Sequence, residues 1–137
     1  MERRDFLMKE IENLTHILSK LVSKVSGLKA VDFEVIIKEI NDDLSSNFEF
    51  TLDELISSDK SIILEKIEKR DIINVELLPN LLSGIIDKIK ELKRENDYNI
   101  DELSKKAIII IEYIDAETKT FSMSRMDLKK KLHEKTL

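Results

Sequence analysis

Few side chains in this sequence belong to the types that carry catalysis or bind metals. The chain has no Cys and two His, His16 and His133, which excludes thiol nucleophiles, zinc–thiolate sites and iron–sulfur clusters. His16 follows Glu12 by four residues, and this spacing places both side chains on one face of a helix. Neither the Glu-x-x-His pairs of di-iron bundles nor the H-E-x-x-H motif is present. We interpret His16 as a surface or boundary histidine and expect no metal and no cofactor.

Carboxylates are abundant, but no pattern selects a catalytic pair. The 28 Asp and Glu residues allow many acid–base pairs, and Asp42 and Asp43 are better explained as the solvated end of a helix. The two glycines, Gly27 and Gly84, stand alone, which excludes a glycine-rich phosphate loop. The G-x-S-x-G motif is absent, and the few aromatic residues include no Trp that could stack on a base. We therefore expect no enzyme activity.

The composition of the chain predicts its domain count and the secondary structure that holds the residues named above. A chain of 137 residues fits one domain, and two Gly and one Pro beside 37% charged residues indicate long helices with few connections. The N-terminus lacks the continuous apolar region of a signal peptide. The longest apolar run, Ala107–Ile111, is far shorter than the ~20 residues that span a membrane. The sequence therefore predicts a soluble cytoplasmic protein without a membrane partner.

The net charge of −5 is unevenly distributed. Residues 30–59 contain nine acids against Lys38 alone, a net charge of −8, whereas residues 1–29 and 125–137 have net charges of +2 and +3. This asymmetry indicates either complementarity within or between subunits, or a solvated face. The acidic middle argues against nucleic acid as a main partner. One alternative stays open, in which a basic C-terminal helix binds phosphates through Arg125, Lys129, Lys130, Lys131 and Lys135.

The most specific pattern is an apolar seam near the N-terminus. Six apolar residues recur at spacings of 4, 3, 4, 3 and 4 residues: Leu7, Ile11, Leu14, Leu18, Leu21 and Val25. The spacing predicts a helix over residues 4–26, which Gly27 ends as a residue that tolerates positive φ. Such a seam either packs inside its own domain or contacts a partner helix or a second copy of the chain.

The middle of the chain predicts three further helices. The first begins with Asp32 as N-cap, carries its apolar stripe from Phe33 to Leu44, and ends at residues 45–47, so that Phe48 and Phe50 pack from the connection. Thr51 and Glu54 have the spacing of a capping box, which begins a short helix ending near residues 57–59. The next helix directs Ile62, Ile63 and Ile67 inward.

The last third of the chain predicts three more helices. One covers residues 75–95, and we expect its regular part to begin at Pro79 rather than to kink there. Another begins at Asn99, with Glu102 completing a capping box, and contains the run Ile108–Ile111. An isoleucine run favours strands, but the caps and the seam around it favour a helix. The final helix begins near Ser124.

Several segments resemble an uncharacterised bacterial family of all-helical proteins. The similar segments are Arg4–Leu14, Leu18–Val22, Thr51–Ile56 with Ile62–Ile67, Ala107–Ile114 and Ser124–Lys129. The resemblance implies tetratricopeptide-like helical hairpins behind a protruding N-terminal helix, and it implies no activity. The chain departs from the family at residues 58–60, where the family has a glycine turn, and over residues 71–80, which have no counterpart.

The sequence thus predicts one all-α domain over residues 1–137. Six or seven helices would stack as antiparallel hairpins, with residues 1–27 as a semi-independent helix on a body of residues 30–137. We expect a non-catalytic protein-interaction or self-association module, with a protein partner or a second copy bound through Leu7, Ile11, Leu14, Leu18 and Leu21. The alternative is a ligand-binding or enzymatic bundle with a pocket between the three C-terminal helices.

Overall fold

The computed structural model describes the backbone of residues 2–135 and the side chains of residues 5–134. Within them the chain is all α-helical and has no strand, which confirms the predicted fold class. A 3-10 turn at Ala30–Asp32 precedes the second helix. The helices are α1 (Glu2–Ser26), α2 (Phe33–Phe48), α3 (Leu52–Ser57), α4 (Lys60–Ile67), α5 (Ile72–Val75), α6 (Leu77–Glu91), α7 (Ile100–Thr118) and α8 (Met123–Lys135).

One continuous apolar core joins the helices, and α1 belongs to it. The longest interfaces are those of α1 with α6, α6 with α7 and α7 with α8. A Cβ added to Gly84 of α6 would lie 3.3 Å from Val25 Cγ1 of α1, so the glycine allows these two helices to approach closely. Buried residues of α1 from Leu14 to Val25 therefore contribute to the same core as the other helices. The stacking of successive antiparallel hairpins stays a prediction.

Polar side chains cap the first turns of α3, α5 and α7. At α3, Thr51 Oγ1 accepts from the Glu54 amide at 3.2 Å and Glu54 Oε1 accepts from the Thr51 amide at 3.1 Å, which is the predicted capping box. The carboxylate of Asp71 accepts from the Ile73 amide at 2.9 Å and begins α5. Asn99 accepts from the amide of residue 102 at 3.1 Å and begins α7. These caps satisfy amides that have no partner inside their own helix.

The boundaries of α1 and α2 differ in detail from the prediction. Gly27 follows the last residue of α1, but its φ is not positive. Asp32 makes no capping hydrogen bond, because it lies in a 3-10 turn with near-helical backbone angles. The helix α2 continues through residues 45–47 to Phe48, and Glu49 ends it in the left-handed conformation with φ of 65°. Phe48 is therefore helical, and its ring stacks on that of Phe50 at 5.9 Å inside the core.

The region around Pro79 also differs from the prediction. The segment divides into the one-turn helix α5 and the longer α6, so Val75 ends one helix and does not begin the next. Pro79 is the third residue of α6, within the first turn, where backbone amides have no intrahelical acceptor. The proline is therefore accommodated two residues after the helix begins. The helix α6 ends at Glu91, before the predicted end at residue 95.

The isoleucine-rich segments are helical, but one residue that the sequence predicts to face inward is exposed. Ile63 and Ile67 of α4 are buried, whereas Ile62 is exposed. The run Ile108–Ile111 lies within α7, as predicted, and three of its four residues are buried. The last helix begins one residue earlier than predicted, and the hydroxyl of Ser122 accepts from the amide of residue 125 at 3.2 Å.

Contacts of Arg94 join the loop after α6 to the beginning of α2. The Arg94 guanidinium lies 4.6 Å from the Phe33 ring centroid and forms ion pairs with Glu34 and Asp97. Tyr98 meets the same ring edge-on at 6.1 Å. Hydrogen bonds to Glu34 and Asp97 raise the pKa of Arg94, and burial raises the pKa of Tyr98. The charged guanidinium of Arg94 thus lies over the Phe33 ring, which Tyr98 also contacts.

Candidate interaction site at the N-terminal end of α1

The five seam residues predicted to bind a partner divide into two groups. Leu14, Leu18 and Leu21 are only 7%, 1% and 1% exposed, because α6 packs along this part of α1. These three side chains stabilise the chain's own core and are not available at the surface. Ile11 is half-buried and Leu7 is 52% exposed. The candidate contact is thereby restricted to the N-terminal end of the seam.

The first turns of α1 extend beyond the body of the protein. Phe6 and Met8 are 62% and 54% exposed, and they flank Leu7 on the helix surface. Consecutive residues are about 100° apart around a helix, so these three side chains cover a broad arc. No neighbouring helix covers that arc among the described residues. We call Phe6, Leu7 and Met8 the N-terminal apolar patch.

A groove of about 440 Å³ lies beside this patch, where α1 meets the α4–α5 connection. Its α1 side consists of Leu7, Glu10, Ile11 and Leu14. The opposite side consists of Lys69, Arg70, Asp71 and Asn74. We call it the N-terminal groove. The seam therefore continues outward along one wall of an open groove instead of ending at the edge of the core.

A buried amide fixes the inner end of the N-terminal groove. Asn74 is buried, and its Nδ2 donates to the Ile11 carbonyl oxygen at 3.3 Å. The Thr15 hydroxyl lies 2.6 Å from Asn74 Oδ1 and 2.8 Å from the Ile11 carbonyl oxygen. This contact holds α5 against α1 at the position where the seam leaves the core.

Both signs of charge line the N-terminal groove. Lys69 forms an ion pair with Glu49 at 3.4 Å, and the Asp71 carboxylate caps α5. Glu10 and Arg70 are exposed, and within residues 5–134 neither forms an ion pair or a side-chain hydrogen bond. Within the described part of the chain, the groove thus presents one uncompensated anion and one uncompensated cation beside an apolar wall.

Sequence reasoning missed the second wall of this groove. The Asp71-Ile-Ile-Asn74 segment carries a readable helix-start signal in its Asp. Nothing in the sequence indicates that Asn74 meets a carbonyl group 63 residues earlier in the chain. The groove is a product of that long-range contact.

The two histidines bring no metal site together among the described residues. His16 and Glu12 are exposed on α1, and His133 is exposed on α8. Within the described part of the chain, no group of three or more His, Cys, Asp or Glu side chains is placed to hold a metal ion. No helix in that part is both long and apolar enough to cross a membrane.

The cleft nearest to the predicted ligand pocket has different walls. It measures about 420 Å³ and lies between α6 and α8, but α1 rather than α7 forms the third side. Ser19 and Val22 of α1 line it, and Lys131 pairs with Asp87 across it at 3.3 Å. The pocket expected between the three C-terminal helices stays a prediction.

The basic residues of α8 are largely neutralised within the chain. Three of the five pair with acids of neighbouring elements: Arg125 with Asp115 at 2.6 Å and Glu76 at 2.9 Å, Lys129 with Glu112 at 3.2 Å, and Lys131 with Asp87 at 3.3 Å. The side chain of Lys135 lies outside the described residues. These pairs connect α8 to the body and, within residues 5–134, leave few lysines and arginines of this helix without an acidic partner for phosphate contacts.

Comparison with known proteins identifies no relative. No protein-family model, curated protein or solved structure gives a significant match to this chain. The resemblance to an uncharacterised helical family accordingly stays a prediction.

Proposed function

We propose that this chain is a non-catalytic helical module that binds protein through the N-terminal end of α1. The contact surface would be the N-terminal apolar patch together with the N-terminal groove. The observation that carries the proposal is the course of the seam, which is buried from Leu14 onward and uncovered at Leu7. The same apolar face thus continues past the edge of the protein's own core.

Physical chemistry supports a protein partner for this surface. Single exposed apolar side chains are ordinary, but a contiguous apolar group on a projecting helix end is typical of interaction sites. The Leu7, Ile11 and Leu14 spacing is the one by which helices pack against each other. A partner helix would continue the packing that α6 provides further along α1.

Site-specific photo-crosslinking tests the proposal. A photoreactive amino acid replaces Met8, and Met126 of α8 provides the matched control, since these methionines are 54% and 46% exposed on different helices. Each protein is expressed at its native level in the source cells and irradiated. We expect a discrete protein adduct from position 8 that Leu7→Asp abolishes, and none from position 126. Adducts of equal yield from both positions, or none from position 8, would refute the proposal.

A further inference from the structure

We propose that a second copy of this chain occupies the N-terminal groove, with the two α1 ends packed against each other about a two-fold axis. This inference rests on the proposed function and names its partner. In the arrangement, the projecting end of each α1 lies in the groove of the other copy. Leu7 and Ile11 of one copy contact the same residues of its partner copy.

The charges of the groove fit a copy of itself. A two-fold interface brings one surface against the same surface, so each charge must meet the opposite charge from within that surface. Glu10 and Arg70 lie on opposite walls of the groove, carry opposite charges and have no described partner in their own chain. A two-fold axis at the apolar wall places Glu10 of each copy toward Arg70 of the other. Both uncompensated charges are then paired at once.

The shape of the region also fits reciprocal packing. The end of α1 projects with its apolar stripe facing an open groove. Each copy therefore supplies both a helix end and a groove that can receive the helix end of the other copy. Residues 2–13 precede the buried Leu14 and, at about 1.5 Å per residue, extend roughly 18 Å. Two such ends lying side by side cover each other's Leu7.

The expected dimer is weak and reversible. Three half-exposed side chains and one groove provide less contact than the ~800 Å² per partner of a standard stable interface. We therefore expect a dissociation constant on the order of 10–100 μM. Self-association should thus appear in a concentration series and escape notice in a dilute sample.

Analytical ultracentrifugation of the purified full chain over a concentration series tests the inference. The wild-type chain should change from monomer to dimer, and Leu7→Asp should weaken the dimer at least tenfold. Val35→Asp is the matched control, because Val35 is an exposed apolar residue on α2, outside the groove. It should leave the dissociation constant unchanged. Circular dichroism of each variant establishes that the helices are intact.

A charge exchange tests the two-fold pairing itself. Glu10→Arg alone or Arg70→Glu alone should weaken the dimer roughly tenfold, since each places like charges together at both pairs. An equimolar mixture of the two single variants should recover wild-type affinity, because both pairs then join opposite charges. Repulsion inside one copy is not relieved by mixing, so recovery reports a contact between copies.

Three results would overturn the second-copy inference. One is a strict monomer throughout the series, and another is a dimer that neither Leu7→Asp nor the charge variants weaken. The third is a monomer that sediments with phosphatidylglycerol vesicles through Leu7, which would indicate a membrane surface as the occupant. A strict monomer whose position 8 still crosslinks to a different protein overturns the second copy but leaves the proposed function in place.

Discussion

Thr15 Oγ1 on α1 lies 2.6 Å from Asn74 Oδ1 on α5, across 59 residues of sequence. The Asn74 amide also donates to the Ile11 carbonyl oxygen at 3.3 Å. Two helices that are distant in sequence are thereby joined by polar atoms, including those of the buried Asn74 side chain. The contact marks where α1 leaves the core and where the N-terminal groove begins.

Removal of this amide should destabilise the fold and loosen the end of α1. Asn74→Ala removes the amide that contacts the Thr15 hydroxyl and the Ile11 carbonyl oxygen and leaves a gap at a buried position, and we expect a loss of about 1–3 kcal/mol in the free energy of unfolding. Urea denaturation measures the loss, and hydrogen exchange should show faster exchange of the amides preceding Leu14. Asn13→Ala, at an exposed position of α1, should change stability by less than about 0.5 kcal/mol. Equal effects of both variants would show that the contact has no structural role.

Two leucines on the same seam should respond very differently to truncation. Leu21→Ala removes a side chain that is fully buried between α1 and the body, and the resulting cavity should cost about 2–5 kcal/mol. Leu7→Ala shortens an exposed side chain and should change the stability of the monomer by less than about 0.5 kcal/mol. Thermal unfolding at low protein concentration compares the two. A large loss from Leu7→Ala in the monomer would mean that residues of the same chain cover this position.

The buried hydroxyl of Ser104 should be dispensable. Ser104 lies in α7, fully buried, and among the described residues its Oγ has no hydrogen-bond partner. Ser104→Ala removes the desolvated hydroxyl and raises helix propensity, so we expect a gain of roughly 1–2 kcal/mol. Ser19→Ala, at an exposed position of α1, should gain only the propensity difference of about 0.5 kcal/mol. Destabilisation by Ser104→Ala would indicate an acceptor for this hydroxyl in solution.

Asp43 should make stability depend on pH. Burial, followed by the negative charges of Glu39 and Asp42, raises the pKa of its carboxyl, and Lys24 opposes this only in part. Compared with the unfolded state, the native state thus favours the protonated carboxyl of Asp43. The contribution of Asp43 to stability is therefore greatest below the ordinary pKa of 3.8, and it declines as pH rises through the raised pKa. We expect Asp43→Asn to raise the melting temperature at neutral pH and to have little effect well below pH 3.8.

The effect of salt distinguishes burial from charge repulsion as causes of the raised pKa of Asp43. Added salt screens Glu39 and Asp42 but does not change burial. The stabilisation by Asp43→Asn at neutral pH should therefore shrink in salt without disappearing, because burial is the larger cause. A melting temperature that is lower for Asp43→Asn than for the wild-type chain at neutral pH would contradict the expected sign.

Local signals predicted those elements whose stability is local. The 4-3 spacing from Leu7 to Val25 predicted α1, and the Thr51–Glu54 spacing predicted the beginning of α3, because helix periodicity and capping involve residues within one or two turns. The run Ile108–Ile111 is helical against its intrinsic preference, since flanking caps and burial outweigh a weak propensity. The regular helix begins two residues before Pro79 rather than at it, because a proline fits several positions of a first turn.

Composition and helix periodicity establish that the chain is helical and which face of α1 is apolar. They do not establish which part of that face is covered, because an apolar stripe has the same periodicity whether its partner is the same chain or another. The position of α6 buries Leu14, Leu18 and Leu21 and leaves Leu7 uncovered. The contact of Asn74 with α1 then creates the groove beside Leu7, through atoms that are distant in sequence and that no local pattern brings together.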